Sequence, residues 1–174
     1  TLGIISNSGS KYILTLAEGK TEGASFPDGI TVDRDARLIS FLGEGMAYPS
    51  HPELAVPGTW SVEKMRKELA RIRSLGVEPV PKLNFSTCHD SWLKEYHRMV
   101  STNEYYQVVA DVIRDTCEIF GNPKLFHIGF DEERASFQER EKFQYICVRK
   151  GEYWWQDFLH IVKTVEQYGA RAWM

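Results

Sequence analysis

Three consecutive carboxylates, Asp131, Glu132 and Glu133, are the residues of this chain best placed to do chemistry. They end the stretch Lys124-Leu-Phe-His-Ile-Gly-Phe-Asp-Glu-Glu133, whose apolar alternation predicts a buried strand. In α/β proteins, ligands bind where parallel strands end. Two carboxyl groups held close together, one of them donating a proton, suit acid/base chemistry on a sugar bond. The alternative is a solvated charge run that caps the following helix, and the residues alone leave both interpretations open.

The alternation of a strand also predicts which of these side chains share a face. It puts His127, Gly129 and Asp131 on one face and Ile128 and Phe130 on the other. A glycine between two polar groups indicates that another group approaches the backbone closely. Because Asp131 and Glu132 are neighbours, they converge on one ligand only if the chain turns there.

The elements that position these residues alternate between strand and helix. Apolar runs predict strands at 37–43, 77–85, 125–130 and 170–174. This pattern predicts an α/β fold of parallel strands with right-handed helical crossovers. Four such units make half of an eight-stranded (β/α) barrel, a partial TIM-barrel-like architecture. A small, complete doubly wound sheet is the alternative, and the half barrel is favoured because the chain ends inside an apparent strand.

Helix boundaries follow from capping signals and apolar spacing. Ser61 is expected to cap a first helix that Gly76 stops, and Ser101-x-x-Glu104 predicts a capping box for a second helix. A third helix is predicted at 154–168 with Gly169 as its C-cap. The apolar face of the first helix consists of Val62, Met65, Leu69, Ile72 and Leu75. Residues 1–36 form a separate segment of unclear structure, in which a hairpin is conceivable, and residues 37–174 form the barrel unit.

Composition excludes several function classes. A net charge of −3 without a Lys/Arg cluster gives a nucleic-acid partner no support. No apolar run approaches the roughly 20 residues of a membrane span. Three widely spaced cysteines without a Cys-x-x-Cys pair predict free, small hydrophobic residues and no zinc site. Because the run of carboxylates suits chemistry on a sugar bond, we expect a carbohydrate partner. We expect no cofactor. The oligomeric state and the compartment are not readable from the residues.

One motif resembles a known family. His127-Ile-Gly-Phe-Asp-Glu132 is similar to the His-x-Gly-Gly-Asp-Glu signature of family 20 glycoside hydrolases, the β-N-acetylhexosaminidases. Pro81-Lys-Leu-Asn-Phe-Ser-Thr-Cys-His89 resembles that family's Pro-Glu-Ile-Asp-x-Pro-Gly-His stretch. The segment from Trp60 to Glu68 is similar to its preceding helix. The likeness covers roughly residues 37–174 in order and spacing. For the compartment, it points only to a bacterial periplasmic or secreted protein.

The resemblance implies roles for individual residues. Glu132 would be the general acid, and Asp131 would orient the substrate's own acetamido group, whose oxygen attacks the anomeric carbon. The implied substrate-binding residues are His89, His127, Glu44, Trp173 and Asn84.

Two positions depart from the family pattern. Asn84 stands where the family has Asp, and Phe130 stands where it has a second Gly. A Phe130 ring turned toward the site would narrow the acetamido pocket.

Two other functions remain open. One is a carbohydrate-binding barrel without catalysis. The other is a metal-dependent barrel hydrolase, because histidine and carboxylate side chains suit divalent metals. The candidate ligands of such a metal are His89, Asp90, His127 and Asp131.

Overall fold

The structure is a computed structural model that describes residues 3–8, 11–16, 21–24, 30–33, 38–42, 46–130, 132–140 and 144–174. For the strands before residue 43, and for Phe137 and Arg140, only the backbone is described. Strands β1 (Gly3–Ser8), β2 (Lys11–Leu16) and β3 (Thr21–Ala24) pair antiparallel in the order β1-β2-β3. The pairing of β1 with β2 is the hairpin that was conceivable in this segment.

A second sheet carries the candidate site. Its strands are β4 (Ile30–Asp33), β5 (Leu38–Leu42), β6 (Glu78–Lys82), β7 (Leu125–His127) and β8 (Arg171–Trp173). They lie side by side in chain order. β4 pairs antiparallel with β5, and every later pair is parallel. The prediction of an α/β fold with parallel strands is therefore confirmed.

Helices connect the parallel strands. Helix α1 (Val62–Ser74) joins β5 to β6, α2 (Asn103–Phe120) joins β6 to β7, and α3 (Ala135–Arg140) and α4 (Glu152–Gln167) lie between β7 and β8. α1 packs on α2, and α2 packs on α4. Strands that advance in one direction through crossovers of one hand place their helices on one face of the sheet. The other face of the parallel strands, which carries Lys82, Asn84, His127 and Trp173, is called the open face below.

The core lies between the sheet and this helical layer. On β6 and its exit, Leu83 and Phe85 are fully buried, and on β7 and its exit Phe126 and Ile128 are buried opposite them. The helices contribute Met65, Leu69, Ile72, Val109, Val112, Ile113, Ile161 and Val165. Because strand residues alternate between faces, Asn84 and His127 belong to the open face.

The helix boundaries confirm the capping signal at Ser61 and correct two others. Tyr168 rather than Gly169 is the C-cap of α4, and Gly169 follows it with a left-handed backbone (φ +74°). The Ser61 hydroxyl accepts the Lys64 N–H at 3.2 Å, as predicted for the start of α1. The prediction that Ser101 caps α2 is wrong, because Thr102 is the N-cap and its hydroxyl accepts the Tyr105 N–H at 3.2 Å. Ser101 instead has a left-handed backbone (φ +63°), and its N–H donates to Asp157. At Ser101 a hydrogen bond to Asp157, 56 positions later in the chain, is therefore formed instead of the local capping box.

Strand β6 contains Pro79 and Pro81, each of which removes a backbone donor. β6 pairs with β7 only at Lys82 and His127, after both prolines. The alignment continues through the Leu83 N–H to the His127 carbonyl and the Phe85 N–H to the Ile128 carbonyl. Since the N–H groups of odd-numbered residues point toward β7, the donors missing at Pro79 and Pro81 are on this side, and the pairing of β6 with β7 is limited to the residues after Pro81.

Strand β7 is shorter than the sequence predicted. It ends at His127 rather than at Phe130, and two consecutive residues, Gly129 and Phe130, have left-handed backbones (φ +67° and +73°). The chain therefore turns just before Asp131 and Glu132, which is the condition for neighbouring acids to converge. Among the described helices, none combines the length and the apolar character that crossing a bilayer requires.

Candidate active site

Glu132 and His89 meet where β6 and β7 end. His89 Nε2 lies 2.8 Å from Glu132 Oε2, and the other carboxylate oxygen, Oε1, lies 3.7 Å from Arg134 Nη2. The side chain of Glu132 is 35% exposed and that of His89 is 50% exposed. The carboxyl group of Glu132 therefore reaches solvent while keeping His89 as a partner. Two side chains that the resemblance assigns to one site are thus in contact.

The loop that carries His89 is held by its own backbone and by Asn84. The His89 N–H donates to the Ser86 carbonyl at 2.8 Å, and the Ser86 N–H donates to Asn84 Oδ1 at 3.1 Å. The Ser86 hydroxyl donates to the same oxygen. Asn84 therefore acts on the site by fixing the path of this loop. Its amide oxygen already accepts two hydrogen bonds from Ser86 inside the protein.

His127 and Trp173 lie side by side on the open face. Their ring centroids are 5.0 Å apart, and Trp173 is 38% exposed. The Gly129 N–H donates to His127 Nδ1 at 3.0 Å, so the neutral imidazole carries its proton on Nε2. Lys82 is paired in register with His127 and shares its face. This part of the face offers hydrogen-bond donors beside an indole ring, a combination that suits the hydroxyl groups and apolar face of a sugar.

The close approach predicted at Gly129 is made by Asn84. A Cβ atom on Gly129 would lie 2.1 Å from Asn84 Oδ1 and 2.8 Å from Asn84 Cα. Both distances are below 3.0 Å, a separation that Cβ atoms essentially never show. Glycine at this position therefore lets the β7 exit lie directly against β6, which brings Glu132 within reach of His89.

Phe130 does not face the candidate site. Its ring is buried under α4, with ring centroids 5.2 Å from Trp154 and 5.6 Å from Phe158. The left-handed backbone turns the side chain into the core. The concern that this ring narrows a pocket is therefore answered, since it lies on the helical side of the sheet.

Glu133 is not a solvated charge. Its carboxylate lies 2.6 Å from Arg149 Nη2, and it accepts the Thr87 N–H at 3.2 Å and the Thr87 hydroxyl at 2.8 Å. The Arg149 side chain is 1% exposed and that of Glu133 is 10% exposed. The interpretation of the acidic run as a solvated helix cap is therefore wrong for Glu133. Of the described carboxylates of this run, Glu132 faces solvent and Glu133 is locked in the protein.

Asp90, a candidate metal ligand, is buried beside His97. Its Oδ1 lies 3.5 Å from His97 Nδ1, and its Oδ2 has no hydrogen-bond partner within the described part of the chain. Burial raises the pKa of Asp90 above its ordinary value. Because Asp90 faces His97 and His89 faces Glu132, the structure does not bring the two together as ligands. No group of three or more potential ligands is arranged around a metal position among the residues that the structure describes.

The cysteines are free thiols, as predicted. Burial raises the pKa of Cys88 and raises the pKa of Cys117 to about 12. Cys88 Sγ donates to the Arg134 carbonyl at 3.3 Å, which adds a bond between the His89 loop and the acidic segment. A protonated, bonded thiol has the properties of a packing residue.

Two predicted site residues, Asp131 and Glu44, lie outside the described residues. Three residues that matter here were missed by the sequence analysis: Thr87, Arg149 and Lys82. Arg149 has no motif around it, and its partners lie 8 to 64 positions away in the chain. Lys82 carried a usable signal, since it is two residues from Asn84 on the same strand and alternation gives both the same face.

Compared with known proteins, the chain matches no protein-family model and no curated sequence. The chemical capacity of the site therefore has to be argued from its geometry. The site combines a solvent-facing carboxyl group, a histidine bonded to it, a second histidine with a defined tautomer and a partly exposed indole. This set can donate a proton to a bound ligand and stabilise the carboxylate that remains.

Proposed function

We propose that this protein is a glycoside hydrolase that cleaves a terminal β-linked N-acetylhexosamine, or a related glycoside, with Glu132 as the general acid. The observation that carries the proposal is the 2.8 Å contact between Glu132 and His89 at the strand ends, beside the open face with His127 and Trp173. A proton donor beside a donor-rich, indole-bearing face suits a bond between a sugar and its leaving group.

The proposed architecture is the first half of a (β/α) barrel. The strand order supports it, because β5 to β8 advance in one direction without reversing. A doubly wound sheet reverses its order at a switch point, and its helices cover both faces. Here consecutive helices pack on each other, which is the arrangement of a barrel wall.

In the proposed reaction, Glu132 donates its proton to the glycosidic oxygen as the bond to the anomeric carbon breaks. The substrate's acetamido oxygen attacks that carbon, and Asp131 orients the acetamido group, as the resemblance implies. With its proton on Nε2, His89 donates to Oε2 of the carboxylate that Glu132 becomes. Arg134, 3.7 Å from Oε1, adds positive charge on the same side. These partners favour proton release in the transition state.

The backbone supports the same assignment. The family signature has two consecutive glycines before its acids, and this chain has Gly129 followed by Phe130. Both residues nevertheless adopt left-handed backbones, which glycine adopts most readily. The turn that the glycines permit is therefore present here despite the substitution.

The proposal is tested with 4-nitrophenyl N-acetyl-β-glucosaminide and 4-nitrophenyl β-glucoside, in the presence and absence of a chelator. We expect release of nitrophenol from the first substrate and no loss of rate on chelation. Binding of N-acetylglucosamine by titration without any turnover would show a carbohydrate-binding protein instead. Activity that disappears on chelation and returns with a divalent metal would show the metal-dependent alternative.

A further inference from the structure

The pair Asp131 and Glu132 is flanked by two residues that contact the same buried guanidinium. On one side, Arg149 Cζ lies 4.2 Å from the centre of the Phe130 ring. On the other side, Arg149 Nη2 lies 2.6 Å from Glu133 Oε1. A single side chain therefore holds the residue before the acidic pair and the residue after it.

Arg149 is itself fixed from the helical side of the sheet. Its Nη1 lies 3.2 Å from Asp157 Oδ2 on α4 and 3.5 Å from the Tyr105 hydroxyl on α2, and its Nη2 donates to the Phe85 carbonyl at the β6 exit. Asp157 is in turn bonded by the Tyr106 hydroxyl at 2.6 Å and by the Ser101 N–H at 3.1 Å. The guanidinium thus joins two helices and one strand end to Phe130 and Glu133.

The charges of this cluster are matched well enough to keep Arg149 ionised in the interior. Burial alone would lower its pKa, but Tyr105, Glu133 and Asp157 outweigh that effect and hold the pKa above its usual range. A buried, charged and bonded group of this kind is strongly destabilising when one partner is removed. It also fixes side-chain geometry, because guanidinium hydrogen bonds are directional.

We infer that Arg149, acting through Glu133, is the positioning residue that presents the Glu132 carboxyl group to the substrate. Glu133 also accepts two hydrogen bonds from Thr87, two residues before His89. The same carboxylate therefore sets the acidic turn and the histidine loop relative to each other. This inference rests on the proposed glycosidase function and concerns residues that touch neither the substrate nor the reacting atoms.

The test compares Glu133→Ala, Glu133→Gln and Asp115→Ala. Asp115 is a matched control, because its buried carboxylate accepts a backbone N–H and a hydroxyl from Ser50, as that of Glu133 does from Thr87, and pairs with an arginine, Arg114. It lies on α2, ten residues or about 15 Å of helix axis beyond Tyr105, the α2 residue that contacts Arg149, and it holds the loop at 50. Kinetics are measured well below the lowest Tm of the set, so that all the proteins are folded.

For Glu133→Ala we expect kcat to fall about 10–100-fold with KM nearly unchanged, since a displacement of about 1 Å at a reacting group costs rate rather than binding. Glu133→Gln keeps an oxygen for Thr87 and Arg149 and should recover most of the lost kcat. Asp115→Ala should lower Tm and leave kcat at the parent value. Equal losses of kcat in Glu133→Ala and Asp115→Ala, or full activity in Glu133→Ala, would overturn the inference.

A crystal structure of Glu133→Ala separates this inference from the proposed function. We expect the contact between His89 Nε2 and Glu132 Oε2 to lengthen beyond hydrogen-bond distance in this variant and to remain 2.8 Å in Asp115→Ala. That readout needs no turnover. If the parent protein has no glycosidase activity, the proposed reaction fails while the distance still reports on positioning. If the contact is unchanged in Glu133→Ala, the positioning role is wrong whatever the activity.

Discussion

Phe130 shows how one residue can depart from a motif and still preserve its backbone. A left-handed conformation costs a non-glycine residue roughly 1–2 kcal/mol. Here the Phe130 ring packs against Trp154, Phe158 and the guanidinium of Arg149. Burying a phenylalanine side chain contributes about 1.5–3 kcal/mol, which is enough to offset the backbone cost. At Phe130 the turn before the acids is therefore stabilised by packing of the side chain, whereas Gly129 adopts the same backbone conformation without a side chain.

The balance between backbone strain and side-chain burial at Phe130 predicts which of two variants, Phe130→Ala and Phe130→Gly, is the more stable. Phe130→Ala should lower the free energy of unfolding by about 3–5 kcal/mol, the usual loss for a buried phenylalanine. Phe130→Gly loses the same ring but relieves the left-handed strain, so it should be more stable than Phe130→Ala by about 1 kcal/mol. Urea denaturation of both variants measures the difference. A glycine variant that is less stable than the alanine variant would show that the backbone here is unstrained.

A second prediction for a single residue concerns the pKa of Asp90. Burial raises its pKa in the folded protein above the ordinary value of 3.8, although His97 and Arg149 oppose the shift. The folded protein therefore binds this proton more tightly than the unfolded chain, so ionising Asp90 reduces stability as the pH rises through the folded-state pKa. Asp90→Asn should accordingly raise Tm at pH 7, and its advantage should shrink as the pH falls toward 3.8.

Thermal melts of the parent and Asp90→Asn at several pH values check this sign. Asparagine keeps an oxygen for His97 and removes only the buried charge. A Tm advantage that grows as the pH is lowered would contradict the assignment of a raised pKa to Asp90.

At the scale of elements, the contact between the β6 and β7 exits is the tightest constraint on the site. Gly129→Ala should destabilise the protein strongly and abolish activity, because the new Cβ atom meets Asn84 Oδ1 at 2.1 Å and Asn84 Cα at 2.8 Å. A double variant, Asn84→Ala with Gly129→Ala, removes the side-chain clash but leaves the backbone clash. It should therefore remain well below Asn84→Ala alone in Tm. Full recovery in the double variant would mean that the two strand exits are not packed backbone to backbone.

The elements also show what local sequence signals can and cannot predict. The Ser61 cap, the Gly76 stop and the α4 segment were readable because each depends on contacts within a few residues. The capping box at Ser101 failed because Asp157, 56 positions later, takes the Ser101 N–H. The 3-10 helix Ser91–Arg98 and helix α3 are short and were not predicted. The early end of β7 was hidden because phenylalanine gives no sign of a left-handed backbone.

At the scale of the whole molecule, the site also contains some residues that sequence signals predicted and others that they did not. Alternating strands and helices predicted the parallel sheet. The resemblance around His127 implied a site built from His89, His127, Glu132 and Trp173, and the structure pairs His89 with Glu132 and His127 with Trp173. The role of Arg149 was not predictable, because its partners come from α2, α4 and the exits of β6 and β7. A buried ion-pair cluster is specified by packing between elements, and no spacing in the sequence encodes it.

The molecule as a whole is arranged so that one acid reaches solvent while its neighbour is bound. Glu133 anchors the turn through Arg149, and Glu132 projects beside His89. This arrangement supports the proposal that Glu132 is the group that donates a proton.

The most direct measurement is the rate of Glu132→Gln on two aryl glycosides with different leaving groups, compared with Glu139→Gln, which changes an exposed glutamate on α3. A general acid contributes about 10²–10⁴ in rate, and it matters most when the leaving group is poor. Glu132→Gln should therefore lose about 10²–10⁴ in kcat/KM on a phenyl glycoside and far less on a 2,4-dinitrophenyl glycoside. Glu139→Gln should match the parent on both. Parent-like rates for Glu132→Gln, or equal losses on both substrates, would contradict the account.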